Sequence, residues 1–180
     1  MLKNILHRAI RRFERQFGYD ATYLHDVANH APLAAWKFAL AQWPANHRQA
    51  ISRDAWHAAH LAGALSEDCG PCVQLSIDMA ARDGMEPEKL AALVRGEPDA
   101  AGTDAALAFR YGLAVATNAP SAIELVEQAR ARFGDRGLIS LAFGVTFARI
   151  YPTLKRGLGH GRACAKVVIR NETVAVKSAA

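Results

Sequence analysis

A chain of 180 residues, 51% apolar and 22% charged, is long enough to bury most of its apolar surface around one core and lies far from disordered compositions. Its formal charge of +5 gathers loosely in Lys3, Arg8, Arg11, Arg12 and Arg15 and again in Lys155, Arg156, Arg162, Lys166 and Arg170, without the interleaved aromatics of a nucleic-acid surface. No apolar run approaches the ~20 residues that span a bilayer, and the charged N-terminus is unlike a secretory signal, so we expect a cytoplasmic protein with no membrane and no nucleic-acid partner.

Abundant alanine and scarce β-branched residues favour helices throughout. Leu2, Ile5, Leu6, Ala9, Ile10, Phe13 and Phe17 fall on one helical face, with Gly18 as the stop. Tyr19 to Asn29 forms a short turn or helix. Pro32 opens the next helix, with Leu33, Trp36, Phe38, Leu40 and Trp43 as packing residues and Pro44 as its end. A helix from about Asn46 to Leu65 carries Ile51, a run of alanines, His57 and His60. Pro71 suits the first turn of a helix running to Gly84, and Pro87 opens another over Glu88 to Arg95, closed by Gly96. Asp104 caps Ala105 to Ala116; Pro120 and Ser121 begin a helix ending at Phe133-Gly134; Leu138 to Tyr151 is the last strong one, stopped by Pro152. Gly157 to Ala180 follows no clear pattern. No linker or composition break divides the chain. We expect one all-α domain over 1–180, with its core at about 30–160 and with 1–18 and 157–180 as extensions.

Three cysteines are too few and too odd in number for a disulfide framework. Cys69 and Cys72 lie three apart, and in a reducing compartment such a pair signals redox chemistry or metal. Cys164 stands alone and reads as a small buried or neutral residue. With Pro71 at the first helical position, Cys72 falls in the first turn, where unpaired N–H groups and the helix dipole stabilise a thiolate. Cys69 sits just outside, close enough to meet Cys72 sulfur to sulfur. Cys-Gly-Pro-Cys is also the dithiol of thioredoxins, but here a helix rather than a strand precedes it. His57 and His60, three apart, share a helix face and have pKa values suited to a base or proton shuttle; Asp54 could orient His57, and Glu67 is a local alternative. Ser76 reads as a hydroxyl bonded back to a helix carbonyl.

The stretch from Ser66 to Gly84, SEDCGPCVQLSIDMAARDG, resembles the carboxymuconolactone decarboxylase and alkylhydroperoxidase-D-like superfamily. The similarity extends loosely over about residues 30 to 160. It implies an all-α bundle that assembles into homo-oligomers and reduces hydroperoxides through its thiols without a cofactor, regenerated by an external dithiol reductant. By position, Cys72 matches the peroxidatic cysteine and Cys69 the resolving one. The family pattern has a His four residues after the second Cys, where this chain has Ser76, and an upstream Glu that falls at or near His57. The superfamily's decarboxylases do not depend on such a pair, so that activity is not expected.

Two other readings remain. His57, His60, Cys69 and Cys72 form a ligand set suited to tetrahedral zinc. A homologue that kept the fold without the chemistry is the other.

Overall fold

The computed structural model describes residues 1–160 and 166–176. Leu6, Ile10, Phe13 and Phe17 turn one face of helix α1 (Leu2–Phe17) inward while Arg8, Arg11, Arg12 and Arg15 stay exposed, and the helix stops at left-handed Gly18 as expected. Helix α2 (Thr22–His30) and helix α3 (Pro32–Ala39) follow. Of the packing residues expected of α3, Phe38 alone faces inward. Leu33, Trp36, Leu40 and Trp43 are all exposed, Trp43 by 84%, because the helix turns Ala35, Phe38 and Ala39 toward the interior instead. Nor does Pro44 end that helix. It lies in a separate short helix, α4 (Gln42–Ala45), in the first turn, where a missing N–H breaks no bond within the helix.

Helix α5 (Arg53–Leu65) begins seven residues later than the expected start at about Asn46. Ala50 is left-handed (φ 56°), and Ser52 caps the helix, its Oγ accepting from the Ala55 N–H at 3.2 Å. From Ala55 to Leu65 every residue of α5 except His60 is buried. It packs against helix α8 (Thr103–Ala116) and helix α9 (Ala122–Gly157) through two glycines. A Cβ on Gly63 would lie 2.8 Å from the Val145 carbonyl oxygen, and one on Gly112 would lie 2.9 Å from that of Ala59. Backbones this close leave no room for a methyl group.

Between α5 and α8 run helix α6 (Gly70–Arg82), helix α7 (Pro87–Arg95) with left-handed Gly96 at its end, and a 3₁₀ turn over Pro98–Ala101. Gly102, not Asp104, precedes α8; Asp104 sits in its first turn, paired with Arg132 at 2.7 Å. The two helices expected after Pro120 are both present and divide at Gly134, whose φ of 66° kinks the 36 residues of α9 there. Pro152 does not stop it. The proline costs a backbone hydrogen bond, but it is fully buried, and packing on both sides carries the helix on to Gly157. Among the described residues α9 is the one helix long and apolar enough to cross a membrane by length and composition. Here α5 and α8 pack along it.

Part of the unplaced tail is a hairpin, β1 (Lys166–Ile169) against β2 (Glu172–Ala175), antiparallel with Ile169 opposite Glu172. Arg170 and Asn171 both have positive φ, as a two-residue hairpin turn requires. Val167, Ile169 and Val174 face the core, and the Gln74 amide bonds both the N–H and the carbonyl of Val168. The architecture is all-α apart from this ribbon. Nor is α1 a loose extension, since Phe13 and Phe17 join Tyr19, Tyr23, Leu75 and Leu154 in a second apolar cluster. Cys164 lies outside the described residues.

Candidate functional site

The turn from α5 into α6 carries the dithiol. Asp68 takes a left-handed conformation (φ 48°), which swings the chain so that Cys69 stands as the extended residue just before α6. Gly70 and Pro71 then form the first turn, and Cys72 follows within it, its N–H bonded to the Cys69 carbonyl at 2.9 Å. The two Cα atoms are 5.3 Å apart with the sulfurs at disulfide distance, as the spacing anticipated. Both cysteines are buried.

Their surroundings differ. Cys72, not Cys69, lines a cavity of about 370 Å³ enclosed by α1, α2, α3, α5, α6 and α9. Leu6, Ile10, Phe13, Leu24, Phe38, Leu75, Met79 and Phe147 make its walls apolar, and none of its lining residues is Lys, Arg, Asp or Glu. Its polar groups include three of the chain's four tyrosines, Tyr19, Tyr23 and Tyr151, with Gln42, Asn46, His60 and Ser76. The Tyr19 hydroxyl lies 3.7 Å from Cys72 Sγ. The neighbouring Tyr23 works to lower the Tyr19 pKa against its burial, and Lys155 Nζ sits over both rings, 5.0 and 5.6 Å from their centres. Burial raises Tyr19 and Tyr23 above the ordinary phenol value and pushes Tyr151 up to about 12, so all three are protonated at neutral pH.

Of the two histidines, only His60 shares this cavity with Cys72. Its ring stacks on Trp56, with centroids 5.2 Å apart, and has no hydrogen-bond partner among the described residues. The surface it keeps opens to the apolar cavity, and burial there pushes its pKa down to about 3, leaving it neutral. His57 turns the other way, into a shallower cleft with Arg48 and Arg82, where Nε2 meets Asp83 Oδ2 at 2.8 Å. Burial lowers His57 despite that carboxylate. Asp83 therefore has the orienting role expected of Asp54, whose carboxylate instead accepts from Lys89 at 2.8 Å.

Glu67, two residues before Cys69, is buried and bound by Arg149 Nε at 2.7 Å, an Arg156 nitrogen at 2.6 Å and the Thr153 hydroxyl at 3.2 Å. Burial works to raise its carboxyl, but the Arg156 and Arg149 hydrogen bonds outweigh it and hold the group below its usual value. A carboxylate so occupied anchors the turn to α9 and has little freedom to shuttle protons. Ser76 Oγ bonds back to the Cys72 carbonyl at 3.0 Å, as read from the sequence.

No family model, curated protein or solved structure matches the chain.

What the site can do follows from its geometry. His57, His60, Cys69 and Cys72 do not converge, and among the described residues no three His, Cys, Asp or Glu side chains gather as metal ligands. Tyr19, Tyr23, Tyr151 and Lys155 escaped the sequence reading. Tyr19 is 53 residues from Cys72, and only the docking of the α1–α2 connection onto α6 brings the two together.

Proposed function

We propose that the protein is a thiol-dependent oxidoreductase of the alkylhydroperoxidase-D-like kind, reducing organic hydroperoxides through Cys72 and Cys69. The observation that carries this reading is that one sulfur of a bonded pair, Cys72, lines an apolar cavity of about 370 Å³, a size found among small-molecule sites. The Cys72 thiolate attacks the distal peroxide oxygen; the S–O bond forms, the O–O bond breaks, and an alcohol leaves after protonation. Cys69 then displaces hydroxide from the resulting sulfenic acid, closing the disulfide and releasing water. An external dithiol reopens it by exchange. Both sulfurs are buried, which favours a slender substrate and a reductant with a projecting thiol over a bulky protein disulfide. The resemblance of residues 66–84 supports the same chemistry and implies a homo-oligomer, and the reading places the protein in the cytoplasm.

The test is a thiol titration of the reduced protein before and after one equivalent of cumene hydroperoxide. Loss of two thiols in the wild type, absent as a disulfide in Cys69→Ser and Cys72→Ser, is expected. Wild-type thiols that survive the peroxide would refute the proposal.

A further inference from the structure

We propose that Tyr19 is a catalytic acid of this site, protonating the alkoxide that leaves when Cys72 attacks a hydroperoxide, with Tyr23 and Lys155 supporting it. The inference rests on the peroxidase reading above and supplies the proton donor that reading lacks. Breaking the O–O bond of an alkyl hydroperoxide expels a strongly basic alkoxide, and inside an apolar cavity water is a poor source of the proton it needs. Ser76 occupies the position where the resembling family has a histidine, and its hydroxyl is already bonded to the Cys72 carbonyl. His60 lines the cavity but is neutral and without a hydrogen-bond partner among the described residues. Glu67 is tied to two arginines and a threonine.

Tyr19 meets the requirement on geometry. Among the described residues it is the one side chain within hydrogen-bonding reach of the Cys72 sulfur, at 3.7 Å, and it lines the same cavity. A peroxide whose distal oxygen touches Sγ places its second oxygen one bond further on, within reach of the same hydroxyl. The phenol is held protonated by burial, so it stands ready as a donor, and an alkoxide is basic enough to take its proton. The phenolate left behind is stabilised by the Lys155 Nζ over both rings, and the neighbouring Tyr23 works in the same direction by lowering the Tyr19 pKa.

The step balances. The Cys72 thiolate gives an electron pair to the distal oxygen, forming S–OH; the O–O pair leaves on RO⁻; the Tyr19 proton converts RO⁻ to ROH. Sulfur is oxidised by two electrons and the peroxide is reduced by two. Cys72 gives its proton to solvent on ionising, and solvent returns one proton to the Tyr19 phenolate after the alcohol leaves, so the cycle is neutral in protons.

The experiment compares two oxidants on fully reduced full-length protein, following Cys72 oxidation by rapid quench and mass spectrometry. Tert-butyl hydroperoxide leaves as a strongly basic alkoxide that needs the proton; peracetic acid leaves as a weakly basic carboxylate that does not. Tyr19→Phe is expected to slow the first reaction about 100-fold, the lower end of a general acid's contribution, and the second less than about 3-fold. Tyr23→Phe should show the same selectivity at smaller size. Equal slowing of both oxidants by Tyr19→Phe, or slowing of neither, overturns the assignment while leaving the dithiol peroxidase intact. A wild type inert to both oxidants overturns the two together. Reaction of Cys72 with a disulfide reagent and the thermal melt check that Tyr19→Phe keeps the fold.

Discussion

Replacing Glu67 with alanine measures how firmly the dithiol turn is anchored. The buried carboxylate accepts from Arg149, Arg156 and Thr153, and a second Arg156 nitrogen bonds the Glu67 carbonyl at 3.0 Å. Two effects oppose each other. Hydrogen bonds to a charged group contribute ~1.5–3 kcal/mol each when buried. Yet the Arg149 and Arg156 side chains are 39% and 55% exposed and regain water once Glu67 is gone, while burying the carboxylate had its own desolvation cost. The expected net loss is therefore about 1–3 kcal/mol, well short of the sum over the bonds. For a chain of this size that lowers Tm by roughly 3–10 °C.

The sign of the pH dependence follows from the same contacts. The carboxyl is held below its ordinary 4.5 in the folded state, so on acidification the unfolded chain takes up the proton first. The stabilisation is complete above the unfolded value and is lost as pH falls through the lower folded one. Urea melts of wild type and Glu67→Ala should differ most at neutral pH and converge as the pH falls through the lowered folded value, with Glu67→Gln behaving like the alanine variant in its loss of acid sensitivity. A gap that stays constant over this range, or no gap at neutral pH, would show that the arginines do not stabilise the turn through this carboxylate.

Three further outcomes are expected. Gly63→Ala and Gly112→Ala should each destabilise in thermal melts, because overpacking costs ~1–3 kcal/mol against a helix-propensity gain of at most ~1 kcal/mol; stabilisation by either would mean α5 can move off its neighbours. Leu61→Ala should cost about 2–5 kcal/mol in urea unfolding, whereas Trp36→Ser should stay within about 0.5 kcal/mol, and a large loss from Trp36 would contradict its exposure. His60, neutral in the folded state with its pKa at about 3, takes its proton in the unfolded chain as pH drops below 6.5; wild type should lose at most about 2 kcal/mol from this source between neutral pH and pH 5, and His60→Gln should not.

Much of the helical scaffold was legible because its punctuation is local. Gly18, Pro32, Pro71, Pro87 and Gly96 each mark a boundary through their own backbone preference, and the structure begins or ends an element beside each. The failures came where distant packing overrode those preferences. Pro152 is carried inside α9 by its burial, and Leu33, Trp36 and Leu40 are left outside because α3 offers the face of Ala35, Phe38 and Ala39 to the cavity. The hairpin was missed because four-residue strands are too short to declare a period of two. In the site, the pairing of Cys69 with Cys72 was visible because three residues of local geometry decide it. Tyr19 and Asp83 were not, since their partners lie 53 and 26 residues away and no spacing encodes such a meeting.

The same separation of three residues has opposite consequences in the two halves of the site, and that contrast explains why the ligand set suggested by His57, His60, Cys69 and Cys72 does not assemble. Within a regular helix, residues three apart diverge by about 60° around the axis. On α5 this divergence is widened by Trp56, which lines both clefts, stacks flat on His60 and meets the His57 ring edge-on at 5.0 Å. The two imidazoles are thereby assigned to different compartments, one against Asp83 and one to the apolar cavity. At the start of α6 no such wedge exists. Cys69 is still extended, Cys72 is already helical, and the change of backbone direction between them folds the first side chain back over the second. A helix interior separates what its first turn brings together, so the chain presents the cavity with one sulfur of a bonded pair, one neutral histidine and a cluster of phenols. On that arrangement the proposed reaction at one sulfur rests.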